Sequence, residues 1–238
     1  MEDRRRLIER LPDIPRWVEA RSVLLSGAAE ISGLETAGPL AAVLRNPDDG
    51  TVFVVGRPKP DAVLDAVSRR EGACDVICGI AEAAAIAALS PGWIAQPIRL
   101  HLMAGDGLLP KPRDGDVRFA EPALIQATPM DPDLREELRA AMGYTQIAVS
   151  LVGGSPVSFC YAGAVTETLW DVSIDTLPEH RRAGHAGRVA AFVIRHMANL
   201  DKRPVWASLE SNPASWRLAA KLGFVEVDRI AMFEIPPP

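Results

Sequence analysis

From Thr145 to Phe224 the sequence switches repeatedly between two hydrophobic periods, and no other feature restricts its fold as strongly. "TQIAVSLVGGSPVSFCYAGAV" reads as two strands of period two joined through Gly153-Gly154-Ser155, a hairpin-type connection. "TLWDVSIDTL" continues the sheet, with Trp170, Val172, Ile174 and Thr176 predicted on one face and Asp171, Ser173 and Asp175 on the other. The period then lengthens: Val189, Val193, Met197 and Leu200 form one stripe, which predicts a helix from Gly184 to about Leu200. "PVWASLE" is the next strand and "NPASWRLAAKLGF" the next helix, with Asn212 as cap, Pro213 at the first helical position and Gly223 as a left-handed stop. "FVEVDRIAMFEI" closes the sheet. Ahead of this series, "DPDLREELRAAMG" predicts an amphipathic helix capped by Asp131, apolar at Leu134, Leu138 and Met142, and stopped at Gly143.

The first half alternates less clearly. "TVFVVG", "CDVICGI" and "PIRLHLMA" read as strands, and "PDAVLDAVSRR" and "AEAAAIAAL" as helices, a succession that suggests an α/β unit. It contains no glycine fingerprint, nucleophile elbow or ligand cluster. Between residues 104 and 118 glycine, proline and aspartate concentrate as they do in an interdomain linker, so the expected division is 1–115 and 116–238.

Composition removes several function classes. The chain of 238 residues is 48% hydrophobic and 24% charged, the profile of a folded protein rather than a disordered one. Its formal charge of −5 opposes a nucleic-acid partner, because phosphate-backbone affinity comes from clustered Lys and Arg. The longest apolar stretch, 80–89, contains Glu82 and is half a membrane span, and the basic start is broken by Glu9 and Pro12, so neither a bilayer segment nor a signal peptide is expected and the location read is cytoplasmic. Cys74, Cys78 and Cys160 stand in no metal-type spacing with histidine and read as buried thiols; no metal is expected. A homo-oligomer is left open.

The chemistry concentrates in "RRAGHAG". A helix N-terminus presents unpaired amides and about half a positive charge, and so binds phosphate. Gly184 lets backbone approach a ligand, Ala183 and Ala186 leave the approach clear, and Arg181 and Arg182 add positive charge. Read on its own, the same pair of arginines is equally a solvated cap before a surface helix.

Together with the second helix this turn resembles the GNAT acetyltransferase superfamily. Its signature loop is Gln or Arg, two variable residues, Gly, one variable residue, then Gly or Ala, between a strand and a helix; here it reads Arg181-Arg182-Ala183-Gly184-His185-Ala186. The family also carries, after the next strand, an Asn that starts a helix ending in Leu-Gly-Phe, matched by "NPASWRLAAKLGF". The resemblance implies a GNAT-type α/β (α+β) fold over 116–238, with a mixed, mostly antiparallel sheet flanked by helices, preceded by a smaller α/β domain that resembles a partial GNAT-like unit.

It further implies acetyl-CoA as cofactor, with its pyrophosphate on the amides around Arg181, Arg182, Ala183, Gly184, His185, Ala186 and Gly187, and its pantetheine arm along Ile174, Asp175 and Thr176. Asn212 and Ser215 match positions that touch the cofactor, although Asn212 serves equally as a plain helix cap. The implied reaction is direct attack of an amine, on a small molecule or peptide, upon the thioester in a ternary complex. An ammonium of pKa about 10.4 is neutral in only about one part in a thousand at pH 7, so a proton acceptor is needed. Asp171 and Glu167 are the candidate catalytic carboxylates, with Asp175 on the same face as Asp171. Many members carry glutamate where this chain has Trp170, and a tyrosine where it has Ala219; Tyr161 is a candidate proton donor, and Ser158, Thr166 and Ser173 are candidates to line an acceptor pocket. Those two departures leave an alternative, a non-catalytic acyl-CoA-binding or interaction module.

Overall fold

The computed structural model describes residues 2–35, 37–105, 109–110 and 116–238. The stretch expected to link two domains lies partly outside the described residues. In chain order the elements are α1 (Glu2–Arg10), α2 (Val18–Ser26), β1 (Glu30–Glu35), β2 (Ala41–Arg45), β3 (Val52–Val55), α3 (Pro60–Ser68), β4 (Cys74–Gly79), α4 (Ala83–Ala87), β5 (Gln96–Met103), β6 (Val117–Phe119), α5 (Pro122–Gln126), α6 (Pro132–Ala141), β7 (Ala148–Val152), β8 (Ser155–Val165), β9 (Leu169–Thr176), α7 (His185–Ala198), β10 (Arg203–Leu209), α8 (Pro213–Lys221) and β11 (Phe224–Ile235). They gather into two compact units, Met1–Leu100 with Ala207–Trp216 and Glu226–Pro238, and His101–Trp206 with Arg217–Val225. This grouping differs from a single cut at 115/116. The physical reason is non-local strand pairing: Ile230 to Ile235 pair antiparallel with Gly79 to Cys74, which returns the end of the chain to the first unit.

In the first unit β1–β2, β2–β3 and β4–β11 are antiparallel and β3–β4 is parallel. β2 and β3 read as nearly unbroken apolar runs because both their faces are covered, whereas β1 (EISGLE) has no buried residue. Val43, Val52, Val54 and Val76 pack against Val63, Ala66 and Val67 of α3. Leu44, Phe53, Val55 and Ile77 pack with Leu7 of α1 and Leu24 of α2.

In the second unit the strand order is β10-β9-β8-β7-β6, antiparallel except for β9–β10. Cys160, Ala162, Trp170 and Val172 meet Val189, Val193 and Met197 of α7 on one face. Val149, Phe159 and Tyr161 meet Ile125 of α5 and Leu138 and Ala141 of α6 on the other. The β7–β8 hairpin turns on Gly153 and Gly154, both at positive φ (57° and 87°), as a two-residue hairpin loop requires. Asp131 caps α6 by accepting from the Asp133 amide at 2.9 Å. Leu200 corrects the predicted stripe: α7 ends at Ala198, and Leu200 is 54% exposed just beyond it. The architecture is the expected mixed α/β one, a mostly antiparallel sheet flanked by helices.

The three cysteines are free and buried. Burial raises the Cys160 thiol far above its ordinary range and pushes Cys78 up to about 12, so neither supplies a thiolate near neutral pH. No helix among the described residues is long and apolar enough to cross a membrane.

Candidate active site

The parallel ladder between β9 and β10 is short. It joins Leu169 to Arg203, Trp170 to Pro204 and Asp171 to Val205, whereas β9 runs on through Val172 to Thr176 paired with β8. Beyond Asp171 the other edge of β9 therefore lies outside that ladder; within this stretch Asp175 O accepts from Ser158 Oγ at 2.8 Å and Thr176 O from Arg181 Nε at 3.1 Å. A bulge sits where the ladder stops: Ala162 faces Val172 but Ala164 faces Asp171, so Gly163 is the extra residue. Space there is tight: a Cβ at 163 would lie 2.5 Å from Ser173 Oγ and 3.7 Å from Asp171 Oδ2, so a larger residue would displace the Ser173 hydroxyl.

Following β9, the chain makes a 3-10 turn at Pro178–His180 and enters α7. Arg181, Arg182, Ala183 and Gly184 are all exposed. Gly184 is the N-cap in the left-handed region (φ 81°), and no side chain caps the helix. The first helical bond runs from the Arg188 amide to Gly184 O (3.2 Å), so the amides of His185, Ala186 and Gly187 precede the ladder. Arg182 also has positive φ (62°), an uncommon conformation for a residue with a Cβ and one that concentrates at ligand-holding turns.

Side chains brace this turn from behind. Arg188 donates to Ala183 O at 3.3 Å and to His185 Nδ1 at 2.9 Å. Because a guanidinium can only donate, Nδ1 is the acceptor and the imidazole proton sits on Nε2; the buried Ser150 hydroxyl lies 2.9 Å from the same nitrogen. Burial lowers the His185 pKa, and the charges of Arg188 and His180 lower it further. His185 is thus a neutral pillar beneath the turn. The donor set, amides of a helix start that precede its hydrogen-bond ladder with two exposed arginines ahead of them, fits a pyrophosphate.

On the α6 side of the sheet β9 presents a polar row. Burial first, and then the Glu137 charge, raise the Asp175 carboxyl to about 6, against the lowering influence of Arg181. Tyr161, only 4% exposed, donates its hydroxyl to Glu137 Oε1 at 2.5 Å. Burial and that carboxylate hold the phenol far above its ordinary pKa, so it remains protonated. Tyr161 stands opposite Ser173 in the β8–β9 register.

The structure thus brings Asp171, Ser173, Ile174, Asp175, Thr176 and the turn 181–187 along one path. Glu167 lies elsewhere, exposed in the turn before β9, where its carbonyl accepts from Lys202 Nζ at 2.8 Å. Of the candidate pocket residues, Ser158 donates to Asp175 O (2.8 Å) and Thr166 closes the β8–β9 turn against the Leu169 amide (3.0 Å), so both hydroxyls serve the backbone. Asn212 caps α8 by accepting from the Ser215 amide at 3.2 Å; both residues belong to the first unit. Glu137 escaped sequence reading because its spacing marks it only as a polar position on an amphipathic helix. The bulge at Gly163 had a visible signal, an isolated glycine within a strand pattern.

Comparison with known proteins bears on the fold. Residues 139–233 match the model of the GNAT acetyltransferase family. No curated protein matches the sequence. Among solved structures, a GCN5-related N-acetyltransferase-like protein from Streptococcus suis is 18% identical with a TM-score of 0.67, covering 98% of each chain. A GNAT-family protein from Novosphingobium aromaticivorans is 19% identical with a TM-score of 0.65, covering 95% of this chain and 98% of its own. A GCN5-related N-acetyltransferase from Kribbella flavida is 14% identical at a TM-score of 0.61, covering 94% of this chain and 96% of its own. Over residues 139–233, then, this chain carries the pattern of the GNAT acetyltransferase family, on the fold those solved structures share.

Proposed function

We propose that the protein is an N-acetyltransferase that moves an acetyl group from acetyl-CoA to an amine acceptor. The observation that carries this reading is the early end of the β9–β10 ladder at Asp171, from which five further residues of β9 lead to an uncapped helix start. In this reading the amides of His185, Ala186 and Gly187, with Arg181 and Arg182, hold the cofactor's pyrophosphate, and the edge of β9 from Ile174 to Thr176 holds its pantetheine arm as an added strand. When bound, acetyl-CoA supplies a thioester whose C–S bond is exchanged for the acceptor's C–N bond.

This chain's residues then manage the proton. Asp175, raised to about 6, is ionised at neutral pH yet closer in basicity to the task than an ordinary aspartate, and we assign it the proton leaving the acceptor ammonium. Asp171 shares its face beside the bulge and is assigned to the acceptor's approach. Glu167, in the turn ahead of β9, is given no part in the proton transfer.

The test is thiol release from acetyl-CoA with a panel of polyamines, amino acids, aminoglycosides and peptides, alongside calorimetric titration of coenzyme A. Release with at least one acceptor supports the transferase. Cofactor binding without release from any acceptor identifies a binding module, and no binding removes both readings.

A further inference from the structure

Strands β6 and β8, the connection from α6 to β7, and the last turns of α7 border a groove of about 370 Å³, open to solvent on one side, in the second unit. This volume is at the lower end of small-molecule sites, roughly 300 to 1,000 Å³. Ala162, Val193 and Met197, all buried, give it an aliphatic floor. Phe119 and His196 form a wall, their rings edge to face at 4.8 Å. A second edge-to-face contact, with Phe192 at 5.1 Å, pins Phe119 from behind, so the wall is set before any ligand arrives. At the mouth stand Gln146, exposed, and Tyr144, 64% exposed.

The described residues lining the groove include no Lys, Arg, Asp or Glu. The His196 imidazole, its ring engaged with Phe119, is the one described lining group that could carry positive charge to partner an anion, so an ionised guest would give up hydration for at most that single contact. A planar ring, by contrast, meets preset aromatic edges, and the Gln146 carboxamide can both donate to and accept from a polar ring edge. Val193 and His196 also stand two to three turns along α7 from His185, and the eleven residues from His185 to His196 span about 16 Å of helix. The groove is therefore remote from the uncapped tip. We propose that it is a second binding site, for a neutral planar heteroaromatic molecule with a hydrogen-bonding edge.

The test uses the full chain and saturation-transfer NMR with four probes: quinolin-2-one and indole as neutral rings, benzoate as an anionic ring and cyclohexanol as a neutral aliphatic. The expected result is saturable binding of both neutral rings, at least tenfold tighter than either control, and its loss in Val193→Phe, which fills the floor. Circular dichroism and coenzyme A titration report whether that variant is folded. Should it fail to fold, Gln146→Ala on the exposed rim decides the matter by weakening quinolin-2-one at least fivefold while leaving indole within twofold. Absence of saturable binding of both rings, equal binding of benzoate or cyclohexanol, or binding unchanged in the folded variant used overturns the proposal.

Discussion

Two segments of the molecule share one local plan and finish it differently. In the first unit β3, α3 and β4 form a strand, a helix and a parallel strand; in the second, β9, α7 and β10 do the same. The β3–β4 ladder pairs Val52, Phe53 and Val54, leaving only Val55 of β3 beyond it. In the β9–β10 ladder three residues pair and five run on. A glycine in each strand-to-helix connection, Gly56 directly after β3 and Gly184 at the N-cap of α7, differs in the same sense. At Gly56 (φ 60°) a Cβ would lie 2.2 Å from Leu40 O, so backbone packs hard against that turn. At Gly184 (φ 81°) a Cβ would meet only the far end of the Arg188 side chain, at 3.2 Å. One turn is packed against main chain, and the other meets only a flexible side chain. A turn's conformation and its accessibility are separate properties, and only the second marks a ligand site.

The contrast can be broken most directly at the two glycines. Gly56→Val should destabilise the fold by about 3 kcal/mol or more, because the side chain strikes main chain in a backbone region it also disfavours; urea denaturation would show it, and a loss under 1 kcal/mol would mean the turn is not sealed. Gly184→Val strikes no main chain, so it should weaken coenzyme A by roughly a hundredfold in calorimetry while costing about 1–3 kcal/mol of stability through its positive φ. Equal affinity in this variant would remove the phosphate from the helix start.

Asp175→Asn sharpens the comparison at the end where β9 outruns its ladder. Its kcat should fall by about a hundredfold with the KM for acetyl-CoA little changed. In the wild type kcat/KM should decline as pH falls through about 6, because protonated Asp175 cannot accept the ammonium proton; an acid limb that survives in Asp175→Asn would assign it to another group. The same shift has a sign for stability. The folded pKa lies above the ordinary aspartate value, so between roughly pH 4 and 6 the native state binds more protons than the unfolded state, and Asp175 reduces stability as pH rises through that window. Asp175→Asn should flatten that part of the stability profile. The smallest effect is expected at Asp131→Ala, where a side-chain cap is removed: about 1 kcal/mol of stability with coenzyme A affinity unaltered.

Much of this was legible before any coordinates. Asp131, Asn212, Gly153-Gly154 and Gly223 stand where capping and turn chemistry place them, because those rules involve residues within four positions of one another. Gly184 belongs with them only as the start of α7; its left-handed conformation there was not legible, because an N-cap ordinarily takes extended backbone. Leu200 shows the limit of periodicity, since the 3.6-residue pattern continues past the point where α7 stops bonding.

Other features depended on distant partners. Pairing of Tyr161 with Glu137 spans 24 positions, and the raised carboxyl of Asp175 comes from burial under α6, so no window of sequence contains its cause. The early end of the β9–β10 ladder is likewise absent from the pattern, because alternation tells which face a residue takes and is silent about which strand lies beside it. Local hydrogen bonding and the spacing of apolar side chains were sufficient to set the helices, the turns and the sidedness of each strand. Which edge of β9 stays open, which carboxylate is held near neutrality and where a groove persists were settled by packing among residues far apart in the chain, since burial and electric field are properties of the assembled neighbourhood.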